Sequence, residues 1–438
     1  MYVRKNQASL TPTEKGKFVK AVLDLKAEKQ KIGDPYTYDK YVQWHKDTVD
    51  EATGRNDAHK GPALFAWHRV FLRWFEADLQ RISGDPNLGL PYWDWRFDNS
   101  PNSSIWGNDF MGGNGKESDN WAVMDGPFRR GQWELRVRDT VDEPTYLRRQ
   151  FGSDPLATSL PTQKDVQDTL DATPFDVAPW NENSASGFRN MAEGWIPPRY
   201  NPEMYIPRMH NRVHAWVGGS MVPITSPNDP VFFLHHCCMD KLWADWQVLQ
   251  FQRGGTRDYS PYLPDGGAAP GHNLNDEMSP WYKLNPPVWF GQSPWDVRYH
   301  HGPLGYSYNT DSDMQYTRYP SDVGDRLTPG QQISSSKDGN YYLVYQADGN
   351  LELWQHAPSG IKLWESGTAG RPGSSCKLEG NGTLVIYGAD YKTPIWASSS
   401  HGSDNAYRLL VRNDGKVAIY QPDGKQLWSV PPPPVGNP

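Results

Sequence analysis

Along the first 310 residues, apolar positions recur mostly at helical spacing. In "TPTEKGKFVKAVLDLKAEKQ", Phe18, Val22 and Leu25 fall on one face, behind an N-cap candidate at Thr11 or Thr13. "YDKYVQWHKDTVDEA", "HRVFLRWFEADLQRIS" and "HHCCMDKLWADWQVLQFQ" carry the same period and predict three more helices. The stretches between them, such as "PNSSIWGNDFMGGNGKESDN", are rich in Gly, Pro, Asn and Asp, which end helices and favour turns. The pattern predicts a helical bundle with long surface loops.

Beyond about residue 312 the period becomes alternating. Short runs, "YYLVYQ", "LELWQ", "TLVIYG" and "KVAIYQ", are bounded by DG, GNG or NDG turns. They repeat: "ADGNLELW", "EGNGTLVIY" and "RNDGKVAIY" end at Trp354, Tyr387 and Tyr420, 33 residues apart. A tryptophan follows each, Trp364, Trp396 and Trp428, at intervals of 32. Three copies of one β-unit imply a threefold pseudo-symmetric all-β domain with the tryptophans meeting inside. The expected boundaries are a first domain over 1–312, a polar linker over 313–324, the β-domain over 325–430 and a proline-rich, unfolded tail over 431–438.

Composition narrows the functional classes. The 438 residues suffice for two or three domains with large cores. A net charge of −7 leaves no basic surface for nucleic acid or an acidic membrane. No apolar run reaches membrane-spanning length, and the mean hydropathy of −0.77 fits a water-soluble chain. The opening "MYVRKNQASLTPTEKGKF" lacks the apolar core of a secretory signal, so a cytoplasmic protein, or one exported with a partner, is expected. Of the three cysteines, Cys237 and Cys238 are adjacent and none lies in a CxxC, so neither a disulfide framework nor a zinc–thiolate site is expected.

Histidine is where chemistry gathers. "PRMHNRVHAWVGG" puts His210 and His214 four residues apart, on one face of a helix. Such a pair serves a metal ion or a plain hydrogen-bonded surface. Four more histidines bear on the choice: His45 late in a predicted helix, His59 and His68 flanking "KGPALFAW", and His236 in "DPVFFLHHCCMD". Two clusters of three imidazoles on four helices could hold two metal ions. The HExxH zinc motif fails because Asn211 stands where its glutamate would be. All-nitrogen sites without carboxylates favour copper.

Together these segments resemble the tyrosinase family of type-3 dicopper proteins, in its bacterial form. "HKGPALFAWHRVFLRWFE" is similar to the first copper signature, departing at Leu64 where Phe is usual. "DPVFFLHHCCMD" fits the second, and "HNRVHAWVGG" resembles the helix between them. The similarity ends near "LGYSY", which is similar to a closing tyrosine motif (Tyr306, Tyr308). It implies a mainly α, four-helix-bundle dicopper core. The ligands implied are His45, His59 and His68 for one copper and His210, His214 and His236, rather than His235, for the other. The implied activity is O2-dependent ortho-hydroxylation of monophenols and oxidation of o-diphenols to o-quinones. Glu193 in "FRNMAEGW" and Asn211 match residues thought to position a basic water, with Glu203 a rival to Glu193 and Trp195 beside the site. Pro207, Ala215, Val222 and Ile224 would border the substrate entrance, and Asp240 would orient an imidazole. Asp57 occupies the place where fungal and plant relatives carry a thioether-linked cysteine, so no such bond forms. Cys237, Cys238 and the histidines at 235, 272, 300, 301, 356 and 401 are expected to be structural.

The repeats resemble the bulb-type (monocot mannose-binding) lectins, a β-prism whose QxDxNxVxY motif binds mannose. "QADGNLELW" keeps Gln346, Asp348 and Asn350, with Glu352 for Val and Trp354 for Tyr; the other two copies have lost most of the motif. The domain therefore binds a mannose-type glycan at one site or covers the copper entrance. Phenols, catechols, O2 and a copper-delivery partner complete the expected partners. The competing readings are a catechol or o-aminophenol oxidase with little monophenol activity, and a haemocyanin-like oxygen- or carbohydrate-binding protein.

Overall fold

Thr11 settles the first helix. Its hydroxyl accepts from the Glu14 amide while the Glu14 carboxylate accepts from Thr11, and Pro12 occupies the first helical position. The resulting α1 (Pro12–Ala27) buries Phe18, Val22 and Leu25. It is followed by α2 (Thr37–Lys46), α3 (Leu64–Ser83), α4 (Gln163–Leu170), α5 (Phe188–Glu193), α6 (Met209–Val217) and α7 (Val231–Gln252). The computed structural model describes residues 2–29, 36–196, 206–252, 260–281, 291–300, 304–309, 313–315, 326–334, 340–355, 360–371, 373–402, 407–412, 414–421 and 425–430.

Three helix boundaries differ from the sequence pattern. α2 stops at Lys46, because Val49–Asp50 turns back to pair with Arg55–Asn56. α3 and α7 each begin four residues before their expected starts, so His68 and His236 sit inside helices and not at their openings. The core of these helices is aromatic: Phe75 of α3 stacks on Phe233 of α7 at 3.6 Å, and Tyr38 and Tyr41 of α2 meet both edge-on.

The chain divides into two compact units, one of Tyr2–Trp246 with Asp258–Arg298, the other of Gln247–Arg257 with Tyr299–Pro438. The second contains three antiparallel sheets of four strands each. The threefold repeat is visible in the register: Leu353 pairs with Trp364, Ile386 with Trp396 and Ile419 with Trp428. The register shifts after each of these positions, so all three repeats carry an irregularity at the same place. Trp364, Trp396 and Trp428 touch pairwise, with centroids 5.7–6.4 Å apart, against a buried cluster that includes Leu343, Leu353, Ile386, Leu409 and Ile419. Asp313–Gln315, inside the stretch expected to be linker, is the fourth strand of the third sheet and pairs with Arg408–Val411. The tail 431–438 lies outside the described residues.

Candidate functional site

Four imidazoles are held from behind. His45 Nδ1 lies 2.6 Å from the Ile224 carbonyl, His68 Nδ1 2.8 Å from that of Leu64 and His214 Nδ1 2.6 Å from that of Met221. His210 Nδ1 lies 2.9 Å from the Asn211 side-chain oxygen. A carbonyl oxygen only accepts, so each Nδ1 carries the proton and each Nε2 presents a bare lone pair. Those lone pairs point at one another. In one cluster, His45, His59 and His68 have ligand atoms within 4.8 Å of each other; in the second, His210, His214, His235 and His236 do.

This arrangement fits a cation. The Nε2 atoms of His210 and His214 lie 3.3 and 3.4 Å from that of His236. One proton on His236 could bridge only one of the two. The buried Nε2 atoms of His45 and His68 find no hydrogen-bond partner among the described residues. Burial pushes His45 and His214 down to about 3 and His210 to about 4, and holds His59, His68, His235 and His236 well below the usual imidazole range. All are neutral at pH 7, the state that binds metal. Among the described residues neither cluster includes a carboxylate, and the clusters adjoin through the stacked rings of His68 and His236, 4.1 Å apart.

A cavity of about 370 Å³ reaches His45 and His59 of one cluster and His210 and His214 of the other. Trp195, Pro207, Ala215, Val222, Pro223 and Ile224 give it an apolar wall, and Glu193 and Asn211 a polar one. It is large enough for one aromatic ring with a substituent.

Residues 35–249 match the family model described as the common central domain of tyrosinase. A tyrosinase from Streptomyces antibioticus is 44% identical over 290 residues, covering 65% of this chain and 95% of that protein. The chain belongs to the tyrosinase family. It is a copper-dependent polyphenol oxidase, and its two metal ions are copper. A solved polyphenol oxidase from Thermothelomyces thermophila shares the fold, with a TM-score of 0.53 at 24% identity over 70% of this chain and 88% of that one. A monocot mannose-binding lectin from Gastrodia elata covers 27% of this chain and 96% of its own at 27% identity, with a TM-score of 0.23.

Within this tyrosinase, the expected residues meet different fates. Glu193 is buried and doubly anchored: Oε1 accepts from the Lys60 amide at 2.5 Å and Oε2 from Arg189 Nη1 at 2.8 Å. Arg189 in turn bonds Asp176. Trp195 carries the Lys60 ammonium 5.4 Å above its ring. Glu203 lies outside the described residues, as do His301 and His356. Asp240 is held by guanidiniums, accepting from Arg69 Nε at 2.5 Å and Arg4 Nη1 at 3.1 Å. The pair with Arg69 ties α7 to α3. His235, expected to be structural, joins the second cluster, because α7 is buried on nearly every side there and adjacent positions both face inward. Cys237 and Cys238 are buried packing residues. His300 packs on Tyr306 and Tyr308, 5.5 Å from each.

Sequence reasoning passed over Asn56, Lys60, Asp154 and Arg189. The first three line the cavity. Arg189 carried a legible signal, its spacing of one helical turn from Glu193.

In the first β-repeat the sugar-motif side chains face one another. Glu352 accepts from Asn350 Nδ2 at 2.9 Å, Trp354 Nε1 at 2.8 Å and Gln346 Nε2 at 3.3 Å. Lys362 closes on the same carboxylate at 3.3 Å, and the Asp348 carboxylate caps the Asn350 amide at 3.0 Å.

Proposed function

We propose that this enzyme hydroxylates monophenols as well as oxidising o-diphenols, with His45, His59 and His68 holding one copper and His210, His214 and His236 the other. Bound copper would supply the reduction of dioxygen: one oxygen atom enters the ring of a phenol and the other leaves as water as the o-quinone forms, or two o-diphenols give two o-quinones and two waters. His236 is favoured over His235 by its Nε2, which lies among the Nε2 atoms of His210 and His214. The carbonyls behind the rings fix tautomer and aim. The apolar wall of Trp195, Pro207, Ala215, Val222 and Ile224 receives the substrate ring.

The observation that carries monophenol activity is the pairing of Glu193 and Asn211 on the wall of a cavity that opens onto both clusters. A phenol has a pKa of about 10, so it arrives protonated and needs a base. Glu193, steered by Arg189 and the Lys60 amide, and Asn211, steered by His210, together hold a water that takes this proton. Asn211→Asp and Glu193→Gln should each lower kcat/KM for a monophenol at least tenfold more than for its catechol. Equal losses on both substrates would reject the base-positioning role and leave Glu193 as a support for the loop at Lys60.

For the C-terminal part we propose a β-prism starting at 313, whose first sugar site is closed by Glu352. Support comes from the three equivalent sheets and from the inward hydrogen bonds of Gln346, Asn350 and Trp354.

A further inference from the structure

His59 differs from the other proposed copper ligands in its setting. It stands on the loop 56–63, between Arg55–Asn56 and α3, and its buried Nδ1 has no hydrogen-bond partner among the described residues. The loop itself is held at both ends by one side chain from far along the chain. His272 Nε2 donates to the Asn56 carbonyl at 2.7 Å, and His272 Nδ1 accepts from the Ala63 amide at 3.3 Å. Ala63 is the N-cap residue of α3 and has no capping side chain of its own, so His272 supplies the acceptor there.

The partners fix the tautomer. An amide N–H only donates and a carbonyl only accepts, so the ring is neutral with its proton on Nε2. Burial lowers its basicity in the same sense. The fit is close: a Cβ on Gly61 would stand 2.5 Å from His272 Nδ1. Asn56 completes the frame, its side-chain oxygen accepting from the His59 amide at 2.8 Å. His272 is anchored in turn, its carbonyl accepting from the Tyr262 hydroxyl at 2.8 Å.

We infer that His272 is a positioning residue for His59, clamping both ends of the loop that presents this imidazole to copper. The inference rests on His59 being a ligand. Without the clamp, ordering the loop must be supplied by the metal itself, and copper affinity falls.

The test is copper titration of the full-length metal-free protein against a chromophoric chelator, with electron paramagnetic resonance to detect isolated Cu(II). His272→Phe keeps a ring against Gly61 but can bond neither Asn56 nor Ala63. It should weaken one of two copper sites about 10–100-fold, and His272→Gln, able to donate and accept, should restore most of that loss. Gly61→Ala leaves His272 in place but pushes its ring away, and should weaken the same site even if the Phe variant does not fold. Unchanged affinity in Gly61→Ala, or a Gln variant no better than Phe, overturns the clamp. His59→Ala separates the two ideas: two tight coppers in that variant would refute the ligand assignment, whereas one copper there beside two in Gly61→Ala would refute only the clamp.

Discussion

A histidine becomes a ligand through what stands behind it as much as through its position. The carbonyls of Ile224, Leu64 and Met221 leave His45, His68 and His214 with one usable nitrogen each, aimed inward. Removing one ring takes away the nitrogen aimed from that position, and His235, the spare imidazole of the second cluster, has no hydrogen bond on either ring nitrogen among the described residues to aim it into the gap. His214→Ala should therefore lose one copper and reduce phenol oxidation at least a hundredfold, read by metal analysis and oxygen uptake. Retention of two coppers would exclude His214 from the centre. At this scale the sequence was most legible where spacing is short: His210 and His214 share a helix face, and Arg189 stands one turn from Glu193. The supports of those groups were hidden, because they come from afar. Ile224 meets His45 across 179 residues, and His272 meets Asn56 across 216. Nothing in local pattern encodes such pairings.

The elements that carry the ligands are locked by buried charge. Arg69 follows His68 on α3, and Asp240 lies one turn beyond His236 on α7. Their ion pair, with Arg4 bridging Asp240 to Glu76, is sealed from solvent. Asp240→Asn would leave two buried guanidiniums short of a counter-charge, at a cost of about 3–5 kcal/mol. A fall in denaturation midpoint to match should appear in the metal-free protein; an unchanged midpoint would show the pair to be dispensable. The early starts of α3 and α7 were not legible, because "ALFAW" and "PVFFL" are apolar at every position and carry no period. In the β-repeats the period was clear, and all three tryptophan registers repeat it. The difference lies at Glu352, which draws Gln346, Asn350 and Trp354 into its own network. Glu352→Val should free those groups for a sugar, so that the variant is retained on immobilised mannose and the parent is not. If both flow through, the closed-site reading fails.

Copper and fold stability meet at the level of the whole chain. Each unit has its own buried core, one aromatic and helical, the other built on the tryptophan trio and the apolar faces of three sheets. A ligand stabilises what it binds by RT ln(1 + [L]/Kd), about 2.7 kcal/mol at a hundredfold excess over Kd, and does nothing for a unit that unfolds separately. The proposed ligands all belong to the first unit, at residues 45 to 236. Calorimetry should thus show two transitions, of which only one moves upward with copper. Truncation should be made after residue 312 and not within 313–324, because Asp313–Gln315 is a strand of the third sheet and a later cut would leave it on the shortened chain without Arg408–Val411 to pair with. The shortened chain should keep the copper-dependent transition, bind two coppers and lose the copper-independent transition. A single transition that shifts as a whole with copper would instead make the β-repeats part of the same cooperative unit as the metal centre.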